Sequence, residues 1–344
     1  MHSETVKIEP GAHKRPQFTM IVKASLAFSF GLSLGHPATA ATPVPPTTPD
    51  VGIQVQTSGI YRFTVGDVAV TALSDGTVPI NLHELLKGTT HSQTDALLAK
   101  SFLRNPVEAS INAFLLEMKG RFVLVDTGAG DLFGPGNGGR LLDALKAAGV
   151  RPEQINDILI THVHTDHSGG LVRSGKLIFP NAIIHAGQPD IDFFLDRGNA
   201  ARTGYGAQYF EEAAVTLKPY VDAGKVRGFS RTSEISPGIV ADLRPGHTPG
   251  TAFYTLESRG KRIVFIGDII HVAAVQFAAP DVTITFDLDQ NMARKVRLRA
   301  FSDFAAAGTL IAAPHLPFPG VGHIRTDKKG YRWIPVEYGN RNAP

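Results

Sequence analysis

Thr161-His162-Val163-His164-Thr165-Asp166-His167-Ser168-Gly169-Gly170 puts three imidazoles and a carboxylate within six residues. The apolar run Ile158-Leu159-Ile160 just before it reads as a short buried strand, so these groups leave a strand end, where a chain can aim several side chains at one point. His162 and His164, two apart, share one side of an extended segment, while the adjacent Asp166 and His167 can reach a second point nearby. Two metal positions are therefore expected. The chain has no cysteine, which excludes thiolate ligands, thiolate nucleophiles and disulfides and leaves imidazole and carboxylate as the donors. That set suits zinc, with manganese, iron or cobalt as alternatives. Two such ions about 3.5–4 Å apart can share a water, lower its pKa toward neutrality and polarise a carbonyl or phosphoryl oxygen, which is hydrolysis without a Ser or Cys nucleophile. Asp166 can orient the resulting hydroxide.

Further candidates lie downstream. His247 occupies the turn Gly246-His247-Thr248-Pro249-Gly250. Asp268 closes the apolar run Ile263 to Ile266, where a carboxylate is costly unless capped or metal-bound; a plain strand-end turn residue is the other reading. His315 follows Leu310 to Ala313, with His323 as its rival. Asp126, after Val123-Leu124-Val125, either orients a ligand imidazole or is a turn aspartate. His271, three residues past Asp268, either lines the pocket or packs. His83, His91 and His185 have no motif around them, so surface or core roles are expected.

Strands are expected over 61–65 and 68–73, joined by Gly66-Asp67, over 111–118 and 121–125, joined by Lys119-Gly120, and at 158–160. Gly139 to Val150 has helical apolar spacing and stops at Gly149. Further helices are expected near 189–197, 209–223 and 290–307, and further strands near 251–257, 262–267 and 309–313. Hairpins mixed with βα units point to an α+β fold with helices covering sheets, in one domain over 59–344. Gly134-Pro135-Gly136-Asn137-Gly138-Gly139 matches G-x-G-x-x-G, but it begins well after its strand and contains proline, so it reads as a loop lining the pocket rather than a dinucleotide site.

Before this domain, His13-Lys14-Arg15, the apolar stretch Ala24 to Leu34 and Ala38-Thr39-Ala40 have the order of a secretory signal spanning 1–40, too short and Gly-interrupted for a stable membrane anchor. A Pro-rich linker, 41–58, follows, and the expected location is periplasmic or secreted. Residues 1–40 hold four of the 34 Lys and Arg and two of the 31 Asp and Glu, leaving 30 against 29 in the remainder. That balance gives no footprint for nucleic acid, and the basic run Arg294 to Arg299 reads as a solvated helix face. A homodimer is an open expectation.

The H-x-H-x-D-H segment resembles the signature of the metallo-β-lactamase superfamily. Val123-Leu124-Val125-Asp126-Thr127-Gly128, Gly246-His247-Thr248-Pro249-Gly250, Gly267-Asp268 and Pro314-His315 occur in that superfamily's order. With Ala72 to Thr77, Val272 to Phe277 and Phe318 to Arg325, the chain is similar to the methyl parathion hydrolase family and its lactonase-like relatives. The resemblance implies an αββα sandwich with a dinuclear centre, probed by two divalent ions of which zinc is the first expectation. One ion would take His162, His164 and His247, the other Asp166, His167 and His315, with Asp268 bridging; Asp166 and Asp268 would be the catalytic carboxylates.

The resemblance also implies a pocket of Leu85, Phe133, Phe194, Tyr209, Phe210, His271, Ile284 and Phe286, suited to a neutral, aromatic small molecule: an ester, a lactone or a phosphotriester. The organophosphate-specialised member carries Arg, Leu, Thr and Leu where this chain has Leu85, His271, Ile284 and Phe286. Lactonase or arylesterase activity is therefore expected first and phosphotriesterase second, with a secreted metal-binding protein lacking turnover as the reading from another class.

Overall fold

The computed structural model describes residues 56–339. The expected signal and nearly all of the linker lie outside the described residues. Among the described residues, no helix is long and apolar enough to cross a membrane.

Two seven-stranded sheets form the centre, each with its strands in chain order. The first contains β1 (Ile60–Val65), β2 (Val68–Ile80), β3 (Val107–Met118), β4 (Arg121–Val125), β5 (Ile155–Leu159), β6 (Ile183–Gly187) and β7 (Val226–Phe229). It is antiparallel from β1 to β4 and parallel from β4 to β7. The second contains β8 (Ser233–Ser236), β9 (Ile239–Leu243), β10 (Ala252–Ser258), β11 (Lys261–Phe265), β12 (Leu310–Ala312), β13 (Val321–Asp327) and β14 (Gly330–Pro335). Only β11 and β12 run parallel there.

The layering follows from side chains alternating across each strand. Phe114 and Leu116 of β3, Val123 and Val125 of β4, and Ile263 and Phe265 of β11 meet between the sheets. Their neighbours point outward: Ala113, Leu115 and Leu124 pack under helices on the first sheet, and Val264 and Ile266 under a helix on the second. Both faces of these strands are buried, which is why they read as continuous apolar runs rather than alternating ones. Each large apolar side chain taken out of water contributes roughly 1.5–3 kcal/mol. The result is the expected αββα sandwich.

The outer layers include α1 (Leu141–Ala148), α2 (Gln188–Leu195), α3 (Ala207–Thr216) and α4 (Gln290–Ala307). The helix expected over 209–223 is two segments, because a second helix, Lys218–Asp222, starts with Pro219 in its first turn. β2 runs on to Ile80, beyond the expected end at 73, because a bulge between Ser74 and Gly76 absorbs the unfavourable Asp75-Gly76 pair and pairing with β3 resumes. The reading of Arg294 to Arg299 as a solvated face is corrected at one position. Arg297 shares the buried stripe of α4 with Ala293, Ala300, Phe301 and Phe304, while Lys295 and Arg299 remain exposed.

Candidate metal centre

The chain leaves β4, β5, β11 and β12 at one edge of the sandwich, the carboxyl ends of its parallel strands, where open sheets place their ligands. β5 delivers His162 and His164 in a loop, then Asp166 and His167 in the one-turn helix Thr165–Ser168. The glycines that follow permit close packing: a Cβ on Gly170 would lie 2.0 Å from the Thr127 carbonyl oxygen. Gly246, with φ of +140° and no room for a Cβ against Ala293, sets the turn that presents His247. Asp268 and His315 follow β11 and β12.

These segments converge. Nδ1 of His164 lies 3.0 Å from Nε2 of His162 and 3.1 Å from Nε2 of His247. Asp268 Oδ2 is 3.5 Å from both of those Nε2 atoms, 3.3 Å from Nε2 of His167 and 3.0 Å from that of His315. Asp166 approaches His167 at 3.6 Å and His315 at 3.4 Å. Three overlapping groups able to hold an ion exist among the described residues: His162, His164, His247 and Asp268; Asp166, His167 and His315; and Asp268, His271 and His315, of which the first two divide the ligands expected from the sequence. Every ligand expected from the sequence is brought together here. His323 is elsewhere, bonded through Nδ1 to the Gly308 carbonyl.

The donor chemistry fits cations. Each imidazole has its outward nitrogen committed and its other nitrogen turned inward. His167 Nδ1 donates to Asp126 at 2.9 Å, and His162 Nδ1 to the Thr161 hydroxyl, which itself donates to Asp126. His164 Nε2 donates to the Tyr205 hydroxyl at 2.8 Å, His247 Nδ1 to Asp287 at 2.8 Å and His315 Nδ1 to the Ser110 carbonyl at 2.8 Å. Lone pairs facing each other at 3.0–3.1 Å cannot hydrogen-bond, and buried His167 Nε2 and Asp268 Oδ1 have no hydrogen-bond partner among the described residues. Burial, aided by neighbouring imidazoles, holds His162 and His164 well below the usual imidazole range, so they are neutral donors. At the other end burial opposes charge on His315 as well, yet Asp268 and Asp166 raise it to about 9, so the field there favours positive charge.

Several supporting residues escaped the sequence reading. Asp287 lies below the usual carboxylate range although burial raises it, because the His247 hydrogen bond and the Arg297 guanidinium outweigh burial. Asp190, pushed up to about 6 by burial, accepts from Val163 N and the Thr248 hydroxyl, joining the His162 loop to the His247 turn. Asn112 of β3 donates to the Ala313 and Leu316 carbonyls and so fixes the His315 loop across the two sheets. The available signal was a polar residue inside an apolar run. Asp126, by contrast, stands where a ligand-orienting carboxylate was expected.

A cavity of about 450 Å³ opens over Asp166, Asp268 and His315. Phe133, Tyr209, His271 and Phe286 line it, as expected. Four other expected pocket residues stand behind the wall. Phe194 backs the His164 ring at 5.6 Å, Phe210 packs into the helix layer, and Leu85 and Ile284 belong to an apolar cluster with Leu82, Leu98 and Val275. Phe210 follows Tyr209 on one helix and so points about 100° away. His271 is buried, with Nε2 3.2 Å from Asp268 Oδ2. His83 and His91 stack on each other at the surface, and His185 pairs with Asp157.

Comparison with known proteins agrees with this geometry. The metallo-beta-lactamase superfamily model matches residues 107–307. A Mycobacterium tuberculosis protein described as a probable metallo-hydrolase is 25% identical over 230 residues, 61% of this chain and 68% of its own. An N-acyl homoserine lactonase of Bacillus cereus is 26% identical over 127 residues, 37% of this chain and 43% of its own. Among solved structures, the hydrolase AbOPH of the beta lactamase superfamily is 37% identical, with TM-score 0.79 over 83% of this chain and 100% of its own. AidC, a dizinc quorum-quenching lactonase in complex with a product, N-hexanoyl-L-homoserine, is 27% identical, with TM-score 0.75 over 82% and 99%. With its fold, its clustered His and Asp donors and a family match across more than half its length, the chain belongs to the metallo-beta-lactamase superfamily and is a hydrolase of that superfamily.

Proposed function

We propose that the chain hydrolyses lactones and aryl esters at a pair of divalent cations, zinc first among them, with phosphotriesters as poorer substrates. The observation that carries this reading is the pair of inward-facing donor sets at the floor of a cavity whose wall includes Val78, Ile80, Leu132, Phe133, Tyr209 and Phe286. AidC, at 27% identity, is a dizinc lactonase, which supports the choice of metal and substrate.

His162, His164 and His247 would hold one cation, Asp166, His167 and His315 the other, with Asp268 reaching both. When bound, two such cations supply Lewis acidity toward the scissile carbonyl and make water nucleophilic near neutral pH. The chain's own work is orientation and exclusion. Asp126, Tyr205, Asp287 and the Ser110 carbonyl fix the imidazoles. The apolar wall sheds water around a neutral substrate, and departure of a phenolate or ring-opened alkoxide lessens the need for a separate general acid.

The expected selectivity rests on shape. The His271 and Phe286 ring centroids lie 6.0 Å apart, so the two rings put their bulk together on the cavity wall, which should suit a planar lactone better than three substituents around phosphorus. Ile284 does not reach the wall and drops out of this argument. The double variant His271→Leu, Phe286→Leu should raise phosphotriester kcat/KM relative to lactone kcat/KM by about 10–200-fold. Steady-state rates on a matched panel of lactones, aryl esters and phosphotriesters check this. No gain on phosphotriesters, or a preference for them in the unmodified protein, contradicts it.

A further inference from the structure

Between α4 and the outer face of β9, β10 and β11 lies a separate cavity of about 260 Å³, which shares no lining residue with the one over Asp268. Its floor is apolar, built from Phe253, Val264, Val296, Ala300 and Phe304. Lys295, Arg299 and Asp303, four residues apart and so in one row along α4, form the helix rim, while Asp242, Arg244 and Arg262 form the sheet rim. The rim charges do not balance. Asp242 pairs with Arg244, and Asp303 with Arg299 at 2.8 Å, whereas Arg262 and Lys295 have no ion pair among the described residues. Glu257, opposite Arg262 in the strand register, neither pairs with it nor lines the cavity. A cleft whose unpaired charges share one sign focuses a positive field over its mouth.

We propose that this cavity binds a small amphiphile with a single anionic head, of the class of a medium-chain carboxylate, its head between Arg262 and Lys295 and its chain along the apolar floor. The two unpaired cations come from different walls, Arg262 from the sheet and Lys295 from the helix. A guanidinium grips a carboxylate through two parallel N–H groups, and the ammonium adds a point charge. Two unpaired cations suit one head, whereas a polyanion such as nucleic acid is held by neutralising many phosphates along its length. Size agrees, since pockets that engulf drug-sized ligands run to roughly 300–1,000 Å³ and this one is smaller. At one end the Arg244 guanidinium lies 5.5 Å over the Phe253 ring, so the floor is already bordered by positive charge. The site makes no use of the metal centre and stands whatever the hydrolase acts on.

The test is calorimetric titration of the full chain with decanoate, kept below the concentration at which it self-associates. One equivalent should bind per chain. Acetate, which has the head without the chain, and decanol, which has the chain without the charge, should each bind at least about tenfold more weakly. Arg262→Gln with Lys295→Gln should weaken decanoate by about tenfold or more. Both side chains are exposed, so the fold should survive, and an unchanged urea midpoint checks that it does. Arg325→Gln with Lys328→Gln removes the same charge from exposed positions outside the cavity and should leave the affinity as it was. Affinity unchanged in the first double variant, as binding in the other cavity would give, overturns the proposal. So does an equal loss in the second double variant, or acetate or decanol binding as tightly as decanoate.

Discussion

Replacing Asp268 by Asn should lower kcat/KM for every ester and lactone on the order of a thousandfold, about 4 kcal/mol in the barrier. Asp268 Oδ2 is the carboxylate oxygen that approaches imidazoles of both donor sets, at 3.0–3.5 Å. The amide is nearly isosteric, so packing after β11 survives, but it removes the negative charge that draws cations to both positions. Metal content measured beside the rates separates the two contributions. A variant that keeps full metal and stays within tenfold of the unmodified protein would reduce Asp268 to a turn residue closing its strand.

The second large effect concerns stability. Arg297 is buried, donating to the Val282 carbonyl at 2.7 Å and the Pro280 carbonyl at 3.3 Å, with Nη2 3.4 Å from Asp287 Oδ2. Arg297→Met fills most of the volume but leaves the Asp287 charge and these carbonyls buried without their donor. Breaking one side of such a pair costs about 3–5 kcal/mol. Urea unfolding should show a lower midpoint at unchanged slope. Because Asp287 accepts from His247, the variant should also bind metal about 10–100-fold more weakly. A midpoint shift worth less than about 1 kcal/mol contradicts this account of the helix.

What was legible in the chain was local. His162, His164, Asp166 and His167 sit within six residues, and Asp268 and His315 each end an apolar run, so short-range patterning exposes them. Asp287, Tyr205 and Asn112 act through partners 40, 41 and more than 200 positions away, and no local pattern reports such pairs. Arg297 is an intermediate case. Its place on the stripe Ala293, Ala300, Phe301, Phe304 was readable, but the surrounding basic residues masked it, since charge runs are usually solvated. The pocket was half legible because family resemblance carries residue positions, whereas reaching a cavity depends on direction, and Tyr209 and Phe210 differ in direction by one helical step.

Metal stoichiometry tests the central claim most directly. Elemental analysis of the protein, loaded gently with zinc and freed of excess, should return two equivalents per chain in the form with highest activity. One equivalent in fully active protein would contradict the division of His162, His164, His247, Asp166, His167 and His315 into two cation sites around Asp268.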